Sequence, residues 1–154
     1  MTVTTDEIAG GCRCGEVRYR LTAEAMPPVY CCHCLDCQTW SGSAFSQQAL
    51  VREGQIVLVH GEPAVFARTN ESGAVSTQTL CGACHTRLWN INSSRPGMAV
   101  VRAGTLDASA TLVPRAHIWT TRKQPWIVIA DGVPAWPENA PVADFIAALG
   151  RAQA

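Results

Sequence analysis

The chain lacks any long hydrophobic run. Its longest apolar stretches, Ile56-Val57-Leu58-Val59 and Trp126-Ile127-Val128-Ile129-Ala130, are far too short to cross a bilayer. The opening residues, from Met1 to Ile8, have neither the basic nor the apolar segment of a secretory signal, so a cytoplasmic location without a membrane partner is expected. A surplus of charge is missing too, because 12 Lys+Arg face 12 Asp+Glu and no basic cluster stands out. Nucleic acid is not an expected partner, since binding it requires a concentrated positive surface that displaces counterions. Internal repeats and low-complexity tracts are also absent. The 154 residues predict a single domain over 1–154, long enough to bury its own core without disulfides.

What is present is mostly strand-forming. Val17, Tyr19 and Leu21 alternate with Glu16, Arg18 and Arg20, the period of a half-buried strand. Short runs over 28–34, 43–50, 55–59, 65–68, 75–80, 87–91, 99–102 and 126–129 also read as extended. Asn70-Glu71-Ser72-Gly73 supplies turn formers between two of them, which predicts a hairpin ending at Cys81. Helical spacing is confined to the C-terminus, where Val142, Phe145, Ile146 and Leu149 would face inward behind Pro141. Residues 35–40 have room for one further turn. Three prolines in 131–141 predict a wrapping loop. The expected fold is mainly β with a short C-terminal helix.

Eight cysteines fall into three groups: Cys12-Arg13-Cys14, Cys31-Cys32-His33-Cys34-Leu35-Asp36-Cys37 and Cys81-Gly82-Ala83-Cys84. In a reducing compartment such clusters read as metal ligands. A Cys-x-x-Cys turn aims both sulfurs at one point, and a second close pair completes a tetrahedron at Zn–S distances of about 2.3 Å. Cys12, Cys14, Cys81 and Cys84 are therefore expected to hold one structural zinc, with nearby glycines easing the tight turns. A redox pair at Cys81/Cys84 would leave six clustered cysteines without a role, and it lacks the βαβ context. On a strand, Cys32 and Cys34 share a face that Cys37 can rejoin, while Cys31 points to the core. Three ligands leave a zinc position open, the arrangement of a catalytic site. The alternative, all four of Cys31, Cys32, Cys34 and Cys37 around one metal, is closed and without chemistry. Seven thiolates on two zincs would also leave the protein more negative than its formal charge suggests.

The run Gly11-Cys12-Arg13-Cys14-Gly15-Glu16-Val17-Arg18-Tyr19, then Cys32-His33-Cys34-Leu35-Asp36-Cys37 with Ser41-Gly42-Ser43-Ala44-Phe45, then Cys81-Gly82-Ala83-Cys84, resembles the glutathione-dependent formaldehyde-activating enzyme and centromere protein V family. The likeness extends through His117-Ile118-Trp119 and Pro125-Trp126. It implies a β-tent fold of short antiparallel sheets pinned by two zincs per chain. The structural zinc would sit on Cys12, Cys14, Cys81 and Cys84, and the second on Cys32, Cys34 and Cys37. It also implies a carbon–sulfur lyase of the S-hydroxymethylglutathione synthase type, acting on glutathione or another thiol adduct of a small aldehyde, with Cys32, Cys34 and Cys37 catalytic through their zinc. In one respect the chain departs from the family pattern, because Gln38-Thr39-Trp40 stands where many members carry basic residues. The two carboxylates of glutathione would then need other partners, with Arg13, Arg87, Arg115 and Arg122 as candidates.

Zinc on three thiolates suits the capture of an incoming thiol, or else the polarisation of an aldehyde oxygen. Two function classes follow: an enzyme of thiol–aldehyde adducts, favoured by an exchangeable zinc ligand, and a zinc-stabilised binding module that contacts another protein, favoured by a closed second site. His33 is expected at the surface or core edge rather than as a general base. Asp36 reads as a turn cap, and His85 and His117 as structural. The tryptophans Trp40, Trp89, Trp119, Trp126 and Trp136 read as packing, with Trp40 placed to line a pocket beside the open site.

Overall fold

The computed structural model describes residues 8–150, so the N-terminal residues read for a signal, Ile8 excepted, lie outside it. Among the described residues the order is β1 (Ile8–Gly11), β2 (Arg18–Leu21), β3 (Val29–Cys32), α1 (Leu35–Ser41), β4 (Ser46–Arg52), β5 (Ile56–His60), β6 (Ala64–Thr69), β7 (Val75–Leu80), β8 (Arg87–Asn92), β9 (Met98–Arg102), β10 (His117–Ile118) and α2 (Val142–Leu149). The fold is mainly β with a short C-terminal helix. The chain divides into two compact units, one running through Pro27 and then Leu50–Thr111, the other Pro28–Ala49 and Leu112 onward.

In the first unit β1, β2 and β5 form an antiparallel sheet, and β6 to β9 form a meander. The alternation Val17, Tyr19, Leu21 buries all three side chains, joined in the core by Leu88, Ala99, Val101 and Leu106. Tyr19 donates or accepts a 2.7 Å hydroxyl bond with Thr105, which satisfies its one polar atom. The ring leaves no room above β1: a Cβ on Gly10 would lie 2.5 Å from it. The expected hairpin forms between β6 and β7, with Ala64 opposite Leu80 and Gly73 at φ +84° closing the turn. Its second strand ends directly at Cys81.

In the second unit β3 is flanked by β4, antiparallel, and by β10, parallel, with His117 opposite Cys31. All four residues of β3 are buried, so it carries no alternation for the sequence to display. The chain over 131–141 wraps β10 as expected: His117 donates its amide to Pro134, and Trp136 donates to His117.

Two expectations need correction here. Residues 126–129 are not a strand. Pro125 has no N–H, Ile127 donates its amide to Gln124 in a turn, and Trp126 and Val128 are 69% and 88% exposed. The C-terminal helix exists, but its inward stripe is half-buried Phe145 with buried Ala148 and Leu149, whereas Val142 and Ile146 are 79% and 53% exposed. Phe145 meets the edge of Tyr30 with ring centroids 4.9 Å apart, and this contact sets the helix rotation.

Candidate metal centres

The first cluster is built from two hairpin turns. Between β1 and β2, Cys12 donates its amide to Val17 and Gly15 donates to Cys12, with Gly15 at φ +84°. Between β7 and β8, Cys81 donates to Thr86 and His85 donates to Cys81. There the left-handed position is His85 at φ +62°, not the glycine that the sequence offers at Gly82. The turns are tied directly, since the Arg13 amide donates to the Thr86 hydroxyl at 3.2 Å. Each turn also aims amides at its own sulfurs: Val17 N donates to Cys12 Sγ at 3.2 Å and Cys84 N to Cys81 Sγ at 3.5 Å.

These turns bring Cys12, Cys14, Cys81 and Cys84 together, with all four Sγ atoms within 4.8 Å of one another. Cys12 and Cys14 are 3.6 Å apart and Cys14 and Cys81 3.8 Å. Those separations match the edge of a tetrahedron of sulfurs around zinc, about 3.8 Å, and are far beyond a disulfide. The four cysteines are free thiols. Their protons are unevenly shared. The hydroxyl and amide of Thr86 hold Cys84 as thiolate, down to about 5. The Glu16 amide favours a thiolate on Cys14 as well, but Cys84 and Cys12 override it and push Cys14 up to about 12. Protons shared among converging thiols are what a divalent cation displaces.

The second cluster joins the end of a strand to the start of a helix. Cys32 closes β3, where the His33 amide donates to Ile118 and holds the exit. Cys34 then caps α1: its backbone is extended (φ −62°, ψ 155°) and its sulfur accepts the Cys37 amide at 3.4 Å. One helical turn returns Cys37, whose sulfur accepts from Gln48 Nε2 at 3.4 Å. Cys32, Cys34 and Cys37 offer sulfurs within 4.8 Å of one another, and no further His, Cys, Asp or Glu joins this group among the described residues. The neighbouring thiols of Cys32 and Cys37 hold Cys34 as thiolate, down to about 2, while Cys34 and Cys37 drive Cys32 strongly upward. Cys31 lies outside the group. It is buried in the core, and burial alone pushes its thiol up to about 12.

Beside this cluster His33 is fully buried, deeper than the surface or core-edge place expected from the alternation. Its Nε2 shares a 2.9 Å hydrogen bond with His117 Nδ1, a pairing between residues 84 apart that sequence spacing could not show. Burial first, then His117 and the Lys123 charge, lower its pKa to about 4, so it is a neutral core imidazole. Asp36 falls in the first turn of α1, and His117 is buried. None of the five tryptophans is fully buried.

Of the arginines considered for a carboxylate, Arg13 is beside the first cluster, Arg87 bonds Gln78, and Arg115 bonds the Leu149 carbonyl. The sequence reading missed Gln38, Gln48 and Lys123. Gln38 Nε2 donates to the carbonyls of His33 (2.7 Å) and Arg122 (2.8 Å), fastening residues 122–124 beside the helix start.

The chain is mainly β and presents two compact cysteine clusters, each of a size and donor type able to hold one metal ion. The sequence matches the family described as glutathione-dependent formaldehyde-activating enzyme over residues 7–122, and the chain belongs to that family. A curated relative from Halomonas elongata, whose name gives this enzyme as a provisional assignment, is 25% identical over 126 residues, spanning 79% of this chain and 80% of its own. A crystal structure of a Rhodobacter sphaeroides protein shares the fold at a TM-score of 0.54 and 16% identity, over 84% of this chain and 99% of its own.

Proposed function

We propose that the protein is a cytoplasmic zinc enzyme, a carbon–sulfur lyase of the S-hydroxymethylglutathione synthase type, working as one zinc-binding domain over residues 1–154. The observation that carries the reading is the three-sulfur cluster of Cys32, Cys34 and Cys37, with Cys31 turned away from it. Cys12, Cys14, Cys81 and Cys84 would hold a structural zinc, and Cys32, Cys34 and Cys37 a second. When bound there, zinc supplies a site that lowers the pKa of an incoming thiol and keeps it nucleophilic.

In the reaction the sulfur of glutathione adds to the carbonyl carbon of formaldehyde. One carbon–sulfur bond forms, and the thiol proton ends on the former carbonyl oxygen; the reverse step breaks that bond. The chain's own residues prepare the place. The Cys37 amide and the thiols of Cys32 and Cys37 keep negative charge on Cys34, and Gln48 orients the Cys37 sulfur. His33 is buried against His117 and neutral, so it positions backbone rather than moving protons.

Carbon-13 exchange spectroscopy tests the proposal: zinc-loaded protein should speed the exchange of labelled formaldehyde with S-hydroxymethylglutathione, and Cys34→Ser should abolish the effect. Exchange no faster with the wild-type protein than without it contradicts the lyase reading.

A further inference from the structure

Lys123 is a cation with no anion of its own. Its ammonium donates to the carbonyls of Ile127 (2.7 Å) and Gln124 (3.4 Å), and it has no carboxylate partner among the described residues. An ammonium has three donors, so one remains for a ligand. The carbonyls that hold it are neutral and leave its charge uncompensated.

Its position is fixed from the cysteine side. Gln38, the residue after Cys37, grips the carbonyls of His33 and Arg122, and its own Oε1 accepts from Gln124 Nε2 at 3.3 Å. Gln124 Oε1 in turn accepts from the Trp126 indole at 2.7 Å. The loop carrying Lys123 is thereby tied on both sides to α1, one residue after Cys37. Gln38 carries no charge itself, but its three hydrogen bonds hold the lysine's loop against the helix that bears Cys37.

We propose that Lys123 is the carboxylate anchor of the second cysteine site, so that the site takes thiols carrying a carboxylate at a distance from the sulfur and discriminates against neutral ones. The assignment rests on the thiol-adduct reading above. A lysine held by main-chain carbonyls on a braced loop is ordered before the substrate arrives, so little side-chain entropy remains to be lost on binding.

Calorimetric titration of the zinc-loaded protein with glutathione and with glutathione diethyl ester, whose carboxylates are blocked, tests this, with zinc content measured on the same samples. Lys123→Met should weaken glutathione about ten-fold or more, the scale of one charge-assisted hydrogen bond. The diester should bind wild type and variant alike, Lys123→Arg should restore most of the affinity, and zinc content should not change. Equal weakening of both ligands would overturn the proposal by making Lys123 a loop brace, and loss of zinc would overturn it by making the lysine a partner of the metal cluster. Unchanged glutathione affinity in Lys123→Met, with good binding by wild type, would overturn it while leaving the thiol-adduct reading intact. Wild type with no saturable glutathione binding would overturn both.

Discussion

Cys31 and Cys32 are sequence neighbours with opposite surroundings: one sulfur faces the core, the other faces Cys34 and Cys37. Strand alternation separates them, and that much was legible in the sequence because period-two geometry needs only adjacency. Gln48 was not legible. It acts across a β3–β4 pairing, where Tyr30 stands opposite Gln48, and no local pattern announces a glutamine aimed at a sulfur. Groups bonded to a ligand tune metal affinity, typically by 10–100-fold. Gln48→Leu is accordingly expected to leave the first metal in place and to speed release of the second to a chromogenic chelator by about ten-fold or more. Release at the wild-type rate would mean that the Gln48 contact does not tune the site. Lys123 was not legible either: no spacing links it to the cysteines, and only the hydrogen bonds through Gln38 and Gln124 tie its loop to α1.

At the scale of elements, the hairpin over β6 and β7 was readable because its turn formers are contiguous, whereas residues 126–129 misled because apolar β-branched residues also serve in an exposed turn. The stripe of α2 was misjudged because Val142 and Ile146 suit helical spacing as well as Phe145 and Leu149 do; the contact of Phe145 with Tyr30 decides the rotation. The one helical turn expected over 35–40 became α1, a seven-residue helix with no buried residue. So short a helix is marginal by itself. It persists through its ends: Cys34 caps the start, and Gly42 at φ +65° returns its amide to Gln38. Two of the three sulfurs of the second cluster lie on this segment, so metal and helix should stabilise each other. Removing the second metal alone is expected to raise amide hydrogen exchange across 35–42 while strands β6 to β9 keep their protection, a difference that exchange mass spectrometry resolves by peptide. Unchanged protection across 35–42 would show that α1 does not depend on metal.

Across the whole molecule, each compact unit contains one cysteine cluster, and the first ties turns 67 to 73 residues apart in sequence. Ligands so distant close a large loop, so metal binding there is also folding energy. The second cluster spans only six positions and fixes a local turn. Cys34→Ser should therefore leave the fold standing, and Cys31→Ala should cost only a small buried side chain, on the order of 1 kcal/mol. The most direct test of the account is the metal content per chain of wild type, Cys31→Ala and Cys34→Ser, purified side by side without added metal. The expected result is about two zincs in wild type and Cys31→Ala and about one in folded Cys34→Ser, following the four-sulfur and three-sulfur groups. Wild type near zero, or equal loss of the second metal from Cys31→Ala and Cys34→Ser, would contradict it, the latter because Cys31 would then be a ligand and the second site closed.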